Sequence, residues 1–302
     1  MNIKIIKKLK RLILNPYEIF GYLGRRELLN WIPDKLYLML RFKAKLGYFP
    51  NLNNPKTFNE KLQWLKLHDR HPRYTRLVDK YEVRKYIAKK IGKEYLIPLL
   101  GVWANFDDID FDKLPNQFVL KATHDSGGVF ICKDKNNFNK EDARKKINKS
   151  LKRNYYWGER EWPYKNVKPR IICEKYMVDE SGYELKDYKL MCFNGKVKCS
   201  FVCLNRESKN GLNVDFYNMK WKKMNFERAY CKSNELISKL QNFDNMIEIS
   251  EKLSKNLRFV RIDFYEVNRQ LFVGEITFYP GSGFEEFRPF KYDKLMGSWI
   301  NL

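Results

Sequence analysis

A chain of 302 residues with 44% hydrophobic and 16% aromatic residues is long and apolar enough to fold around a substantial core in two or three lobes, which excludes a disordered tail. Lys+Arg 59 against Asp+Glu 36 gives a formal charge of +23, so the partners are expected to be anionic: a nucleotide, an acidic polysaccharide, lipid headgroups or nucleic acid. The charge does not choose among them, and genome bias toward Lys and Asn gives the same composition. Six cysteines without a Cys-x-x-Cys pair, and histidine only at 68, 71 and 124, argue against a zinc site and for small core residues in a reducing cytoplasm. No uncharged apolar run of about 18 residues occurs, and residues 1–14 interleave charge with apolar side chains, so neither a membrane span nor a signal peptide is expected and the protein is placed in the cytoplasm.

In chain order, residues 1–50 read as helical and basic, with Ile5, Leu9, Leu12 and Ile13 near one face and Lys7, Lys8, Lys10 and Arg11 around it. Such a stretch either lies on an anionic membrane surface or packs on the body of the protein with a solvated lysine face. After a turn-rich segment at 50–55, Thr57 is placed to cap a helix whose Glu60 stands three residues on, the reciprocal capping box. Phe58, Leu62, Trp64 and Leu65 belong to that helix. A further helix is predicted from about Thr75 to Ile91, with charge concentrated between Asp79 and Lys85. Beyond it the texture changes to strands at 118–121, 129–132, 171–174, 189–193 and 196–203. Asn194-Gly195 predicts a hairpin between the last two. A helix near 242–257 precedes a final pair of strands.

That final pair, 259–278, is the most informative stretch. Val260, Ile262 and Phe264 alternate with Arg261, Asp263 and Tyr265, and Phe272, Ile276 and Phe278 oppose Val273, Glu275 and Thr277. Matching apolar face to apolar face requires an odd loop, most simply Asn268, Arg269 and Gln270, which sets Asp263 opposite Glu275 and Arg261 opposite Thr277. Two carboxylates about 5 Å apart across a ladder repel, so a positive group is expected between them. Mg²⁺ fits because it takes carboxylate oxygens together with substrate phosphates, with Thr277 as a weak ligand or water-positioning group. Relief by Arg261 and neighbouring lysines is the alternative.

Two further pieces carry chemistry. Lys121 ends an apolar strand, and Ser126-Gly127-Gly128 turns before the next. Backbone N–H groups of such a loop cradle phosphate oxygens, with the lysine as a point charge, although Gly-Gly turns also serve as plain hairpins. No Gly-Lys-Thr or Gly-Lys-Ser opens a helix, so this is not a P-loop. His124 reads as a hydrogen-bonding loop residue. The run from Ile172 through Glu174 and Lys175 to Met177 leaves an apolar strand and can offer backbone groups to an adenine edge. Asp187 is placed to accept from ribose hydroxyls and Lys189 to reach phosphate, while a solvated Glu174–Lys175 pair is the alternative.

Taken in order, these pieces resemble the ATP-grasp superfamily. The segments 54–66, 79–84, 95–99, Asp187-Tyr188-Lys189 and 274–283 are similar to its TupA-like branch, associated with teichuronopeptide, capsule and related surface-polysaccharide biosynthesis. The likeness covers roughly residues 45–302. It implies an α+β ATP-grasp fold, two α+β lobes clasping ATP, preceded by a basic helical segment. The implied organisation is that segment at 1–50, a helical and mixed lobe at 51–115, a small lobe at about 116–175 and a large lobe at about 176–302.

The resemblance further implies ATP and Mg²⁺ as cofactors. Lys80 and Lys121 would contact phosphates, Ser126, Gly127 and Gly128 would form the phosphate loop, and Glu174, Lys175 and Met177 would line the adenine pocket. Asp187 would hold ribose, and Asp263, Glu275 and Thr277 would ligate the metal, Thr277 standing where many relatives carry Asn. Arg261 and Lys189 would act in catalysis, Arg261 by stabilising the phosphate or developing charge. The implied reaction joins a carboxylate, here a uronic acid of a surface polysaccharide, to an amino acid or amino alcohol through an acylphosphate, releasing ADP and phosphate. Residues 281–284 are expected near the acceptor, and the aromatics Tyr155, Tyr156, Trp157, Trp162 and Tyr164 either bind an anionic sugar chain or pack a lid. Peripheral membrane contact through residues 1–45 is an open expectation, and no nucleic acid is expected. A glycosyltransferase acting on the same polymers and a basic anion-binding module are the alternatives.

Overall fold

The computed structural model describes residues 15–180, 182, 185–204 and 211–302. The apolar face expected at Ile5, Leu9, Leu12 and Ile13 lies outside the described residues. Two helices follow, α1 (Glu18–Gly24) and α2 (Asp34–Leu46), the second entered through Pro33, whose fixed φ and missing N–H suit a helix start. Both pack on the body of the protein around residues 155–161. Tyr37 Oη donates to the Gly158 carbonyl at 2.7 Å, Arg41 forks onto Glu159 at 2.6 and 3.1 Å, and Arg160 Nη2 donates to the Leu29 carbonyl at 2.8 Å.

Helix α3 (Phe58–His68) has the predicted capping box: Glu60 N donates to Thr57 Oγ1, and the Glu60 carboxylate accepts from Thr57 N. The long helix predicted at about 75–91 is instead two, α4 (Arg73–Val78) and α5 (Val83–Lys90). Asp79 leaves helical backbone at ψ 114°, and its carboxylate accepts from the N–H groups of Tyr81 and Glu82 at 2.8 and 3.3 Å. Local side-chain bonding of this kind competes with the helix. The break turns the Lys80 N–H toward the Thr123 carbonyl, 3.1 Å away, and so ties the helix pair to the glycine loop.

Among the described residues, β1 (Leu99–Trp103), β2 (Phe118–Ala122), β3 (Val129–Cys132) and β4 (Ile171–Lys175) form an antiparallel sheet in the order β1-β4-β2-β3. Helix α6 (Lys140–Leu151) covers it, with Ala143 and Ile147 against Phe118 and Leu120. A larger sheet has the order β10-β9-β5-β6-β7, made of β5 (Asp187–Phe193), β6 (Lys196–Leu204), β7 (Asn213–Asn218), β9 (Phe259–Val267) and β10 (Gln270–Thr277). Helix α8 (Phe243–Ser254) packs on it through Phe243, Met246, Ile249 and Leu253, after the short helix α7 (Tyr156–Glu159). A two-stranded ribbon pairs β8 (Glu227–Arg228) with β11 (Phe287–Arg288), and α9 (Lys291–Ser298) lies against α3. The class is α+β, as expected. No helix among the described residues is long and apolar enough to cross a membrane.

Asn194 and Gly195, at φ 50° and 78°, make the predicted tight turn between β5 and β6. The β9–β10 hairpin reaches its predicted pairing by another route. Its turn is two residues, Asn268 and Arg269, at φ 50° and 64°, so Gln270 pairs with Val267. A bulge at Gly274, between Val273 and Glu275, then restores the register. Asp263 therefore faces Glu275 and Arg261 faces Thr277, but before the bulge Leu271 and Val273, not Phe272, enter the core.

Asp293 on α9 accepts from Asn59 N and Nδ2, at 3.0 Å each. Burial pushes its pKa up to about 6 against those hydrogen bonds and Arg228. A carboxyl raised in this way holds its proton more tightly folded than unfolded. Its contribution is full below about pH 4, the unfolded value, and is lost as pH rises through about 6. Melting curves of wild type and Asp293→Asn across this range should diverge in the variant's favour as pH rises, by no more than about 3 kcal/mol; a pH-independent difference rejects the assignment.

Candidate active site

Three adjacent strands set one row of side chains across the larger sheet: Lys189 on β5 is registered with Asp263 on β9, which is registered with Glu275 on β10. Alternation puts Arg261 and Thr277 on the same face two residues along, and Asp187 and Tyr265 two residues the other way. Arg261 binds Asp263 through Nε and Nη2, both at 2.6 Å, while Nη2 also reaches Glu275 Oε1 at 2.8 Å and Thr277 Oγ1 at 3.2 Å. Lys189 Nζ donates to Asp263 Oδ2 and stands 3.5 Å from Asp187. Thr277 Oγ1 donates to Glu275 at 3.0 Å. The positive group lying between Asp263 and Glu275 is the Arg261 guanidinium, while the Lys189 ammonium flanks Asp263 on its other side, toward Asp187.

Charge and burial oppose each other throughout this network. Burial disfavours the charge on Arg261, yet Asp263 and Glu275 hold its pKa above the ordinary value. Lys189 is likewise raised, with Asp263 and Asp187 outweighing burial. Burial also works against ionised Glu275, but Arg261, Lys80 and Lys189 prevail and hold it well below the usual carboxylate range. For Asp263 burial wins, and its pKa lies above the ordinary value despite Arg261 and Lys189. Tyr265 is raised by Asp187 first and burial second, with Glu275, Asp263 and Glu174 adding to the effect. Glu174 thus stands within electrostatic reach of the same face.

Glu174 belongs to a second cluster on the smaller sheet. Lys121 Nζ donates to its Oε2 at 2.7 Å and Arg84 Nη1 to its Oε1 at 3.2 Å. Lys175, the last residue of β4, is exposed, and Met177 lies in the half-buried segment beyond it. The glycine loop hangs between β2 and β3 with Ser126 and Gly127 exposed and Gly128 buried. Its anchor is Asp125, whose carboxylate accepts from Gly128 N at 3.2 Å, from Arg153 Nη2 at 3.2 Å and from Ser150 Oγ. His124 donates from Nε2 to the Ser150 and Arg153 carbonyls at 3.0 and 3.2 Å, a loop role as expected. Lys80 Nζ donates to the Asp125 carbonyl at 2.5 Å, and its charge is among those that hold Glu275 ionised.

A lysine-bearing sheet, a glycine loop and a carboxylate hairpin face one another, and the profile of the TupA-like ATPgrasp family matches residues 60–301. The chain belongs to the TupA-like ATP-grasp family. No curated protein sequence matches it. Among solved structures it is similar to the D-alanine–D-alanine ligase of Bacillus anthracis, at 18% identity and TM-score 0.39 over 67% of this chain and 56% of that one. It is also similar to a biotin carboxylase–β,γ-ATP complex from Campylobacter jejuni, at 14% identity and TM-score 0.39 over 74% and 43%. A RimK domain ATP-grasp protein from Sphaerobacter thermophilus gives 10% identity and TM-score 0.41 over 75% and 69%. This chain thus spans little more than half of the D-alanine–D-alanine ligase.

In this TupA-like ATP-grasp protein the oxygens of Asp263, Glu275 and Thr277 are hard donors on one face. They suit Mg²⁺, which is commonly held through one or two carboxylates and otherwise through substrate phosphates and water. Among the described residues, no three His, Cys, Asp or Glu side chains gather closely enough to hold a metal by themselves. An open concavity lined by Ala104, Asn105, Asp108, Asn148, Lys152 and Pro169 shares no residue with the charged network. Sequence reasoning missed two positioning groups: Arg84, within the charged run that was noted without a role, and Asp125, hidden beside the loop glycines. Arg170 was missed too; it pairs with Asp79 at 2.7 Å and Glu82 at 3.0 Å, and its carbonyl accepts from Thr123 N at 2.9 Å.

Proposed function

We propose that this protein is an ATP-dependent carboxylate–amine ligase that forms an acylphosphate and releases ADP and phosphate. The observation that carries this reading is the Lys189–Asp263–Arg261–Glu275 network facing the glycine loop, in a chain of ATP-grasp ancestry. Phosphoryl transfer asks for positioning and positive charge more than for a side-chain nucleophile. Arg261 and Lys189 supply that charge where the transferred group would sit. Lys80 and Lys121 contact the remaining phosphates under Ser126, Gly127 and Gly128. Glu174, Lys175 and Met177 border the adenine, and Asp187 the ribose. Asp263 and Glu275, with Thr277, are the residues that would hold Mg²⁺, which when bound neutralises phosphate charge.

In this reading the small lobe at about 116–175 closes on the large lobe at about 176–302, and β1 adds an edge strand to the small one. The carboxylate is a uronic acid of a surface polysaccharide, and the amine an amino acid or amino alcohol. The test is ATP consumption with Mg²⁺, pooled uronic acids and pooled amines, with mass spectrometry of the products. Amine-dependent ADP and phosphate with a dehydrated conjugate are expected. Intact ATP, with transfer from a nucleotide sugar instead, would replace this reading with a glycosyltransferase.

A further inference from the structure

Beside the charged network lies a buried polar cluster that joins Lys66 and Ser282, from the segments 54–66 and 274–283, to Glu161, which no sequence motif marks. Glu161, 4% exposed, accepts a hydrogen bond from Ser282 Oγ at 2.6 Å. Ser282 sits in the turn Pro280–Gly283, three residues beyond the end of β10 at Thr277. Gly281, Ser282 and Gly283 take φ of 58°, 55° and 65°, a run of left-handed backbone in which the serine is strained by about 1 kcal/mol or more. Lys66 on α3, fully buried, holds that turn in place: its Nζ donates to the Ser282 carbonyl at 2.8 Å, the Glu159 carbonyl at 2.9 Å and Gln63 Oε1 at 3.0 Å. A buried ammonium, a buried carboxylate and a strained hydroxyl gathered in this way are costly unless the site uses them.

The cluster adjoins the nucleotide-facing network. Glu161 lies within electrostatic reach of Glu275, and Tyr164 within reach of Glu161, Glu275 and Arg261. We propose that Glu161, acting through Ser282 Oγ, accepts the proton of the amine that attacks the acylphosphate; the inference rests on the ligase reading above. The amine nitrogen forms the C–N bond, the acyl C–O bond breaks, and phosphate leaves with the electron pair. The nitrogen proton passes to Ser282 Oγ as the hydroxyl proton moves to Glu161 Oε1.

The surroundings of Glu161 suit that task. Lys66 faces it from α3, Glu159 from α7, Glu275 from β10, and Tyr155, Tyr164 and Tyr279 from the adjoining segments. Burial, aided by Glu159 and Glu275, lifts its carboxyl above the usual range against Lys66 and the Ser282 hydrogen bond. Burial correspondingly lowers Lys66. A carboxylate moved toward neutrality is a stronger base than an ordinary one.

The test uses the full chain with Mg²⁺, ATP, and glucuronic and galacturonic acids, supplied with either a mixture of amino acids or hydroxylamine. Hydroxylamine is unprotonated at neutral pH and attacks acylphosphates without a base. Glu161→Gln, which can still accept from Ser282, should lower the ratio of amide to hydroxamate by about 10²-fold or more. In wild type that ratio, corrected for the free-amine fraction, should climb through neutral pH and level off. An unchanged ratio in the variant, whether both rates persist or fall together, overturns the proposal. A flat corrected wild-type profile does so even if the variant fails to fold. Failure of the ligase reading has its own signature, ATP left intact by wild type with both nucleophiles, and removes this step with it.

Discussion

Glu275→Gln should lower ATP turnover by about 10²–10³-fold with only a modest loss of thermal stability. The Glu275 side chain is 39% exposed, so its loss leaves little buried charge uncompensated, and Arg261 keeps both bonds to Asp263. What disappears is the negative charge facing Lys80 and Lys189, held ionised far into acid. Asp263→Asn should behave differently. Its side chain is 2% exposed and binds Arg261 twice and Lys189 once, so the substitution removes the carboxylate that two buried cations share and leaves them only Glu275 and Asp187. A loss of about 3–5 kcal/mol in stability should accompany the loss of turnover. A coupled ADP assay and melting curves on the two variants decide the matter. Near-wild-type turnover in both would remove the carboxylates from the mechanism.

Arg261→Lys should reduce kcat by about 10²-fold with little change in KM for ATP. The guanidinium bonds Asp263, Glu275 and Thr277 together, through a planar fork that a single ammonium does not reproduce. Overall charge is kept, so ground-state attraction for the nucleotide survives. An interaction made chiefly in the transition state shows itself in kcat. A variant whose KM rises while kcat holds would make Arg261 a binding residue only.

How far the sequence disclosed this arrangement depends on the range of the interactions. Alternation along 259–278 is local, and it forced Asp263 against Glu275. An odd loop and a two-residue turn followed by a bulge give that same pairing, so the alternation did not separate them, and Phe272 was placed on the wrong face. The helical pattern continued through Asp79, yet the hydrogen bonds its carboxylate accepts from Tyr81 N and Glu82 N end the helix there. Asp125 and Glu161 act through partners distant in sequence, Ser150 and Arg153 for one and Ser282 for the other, and no local rule marks them. Lys66 did leave a trace. It stands four residues after Leu62, on the buried stripe of α3, where a lysine needs a reason.

The closure of α3 by α9 sets a clock on the protein's birth. Asn59 meets Asp293 across 234 positions, and Lys61 Nζ reaches the Ile300 carbonyl across 239. Synthesis at about 5–20 residues per second leaves α3 waiting for its partner for roughly ten to fifty seconds. The smaller sheet and α6 draw their core from residues 106–173 and have no such wait. The middle of the chain can therefore be folded while Phe58 and Leu62 are still uncovered. A nascent chain stalled soon after residue 173, before Phe193, Phe259 and Phe287 arrive to cover Phe58, would present that apolar helix to chaperones beside an already finished small sheet.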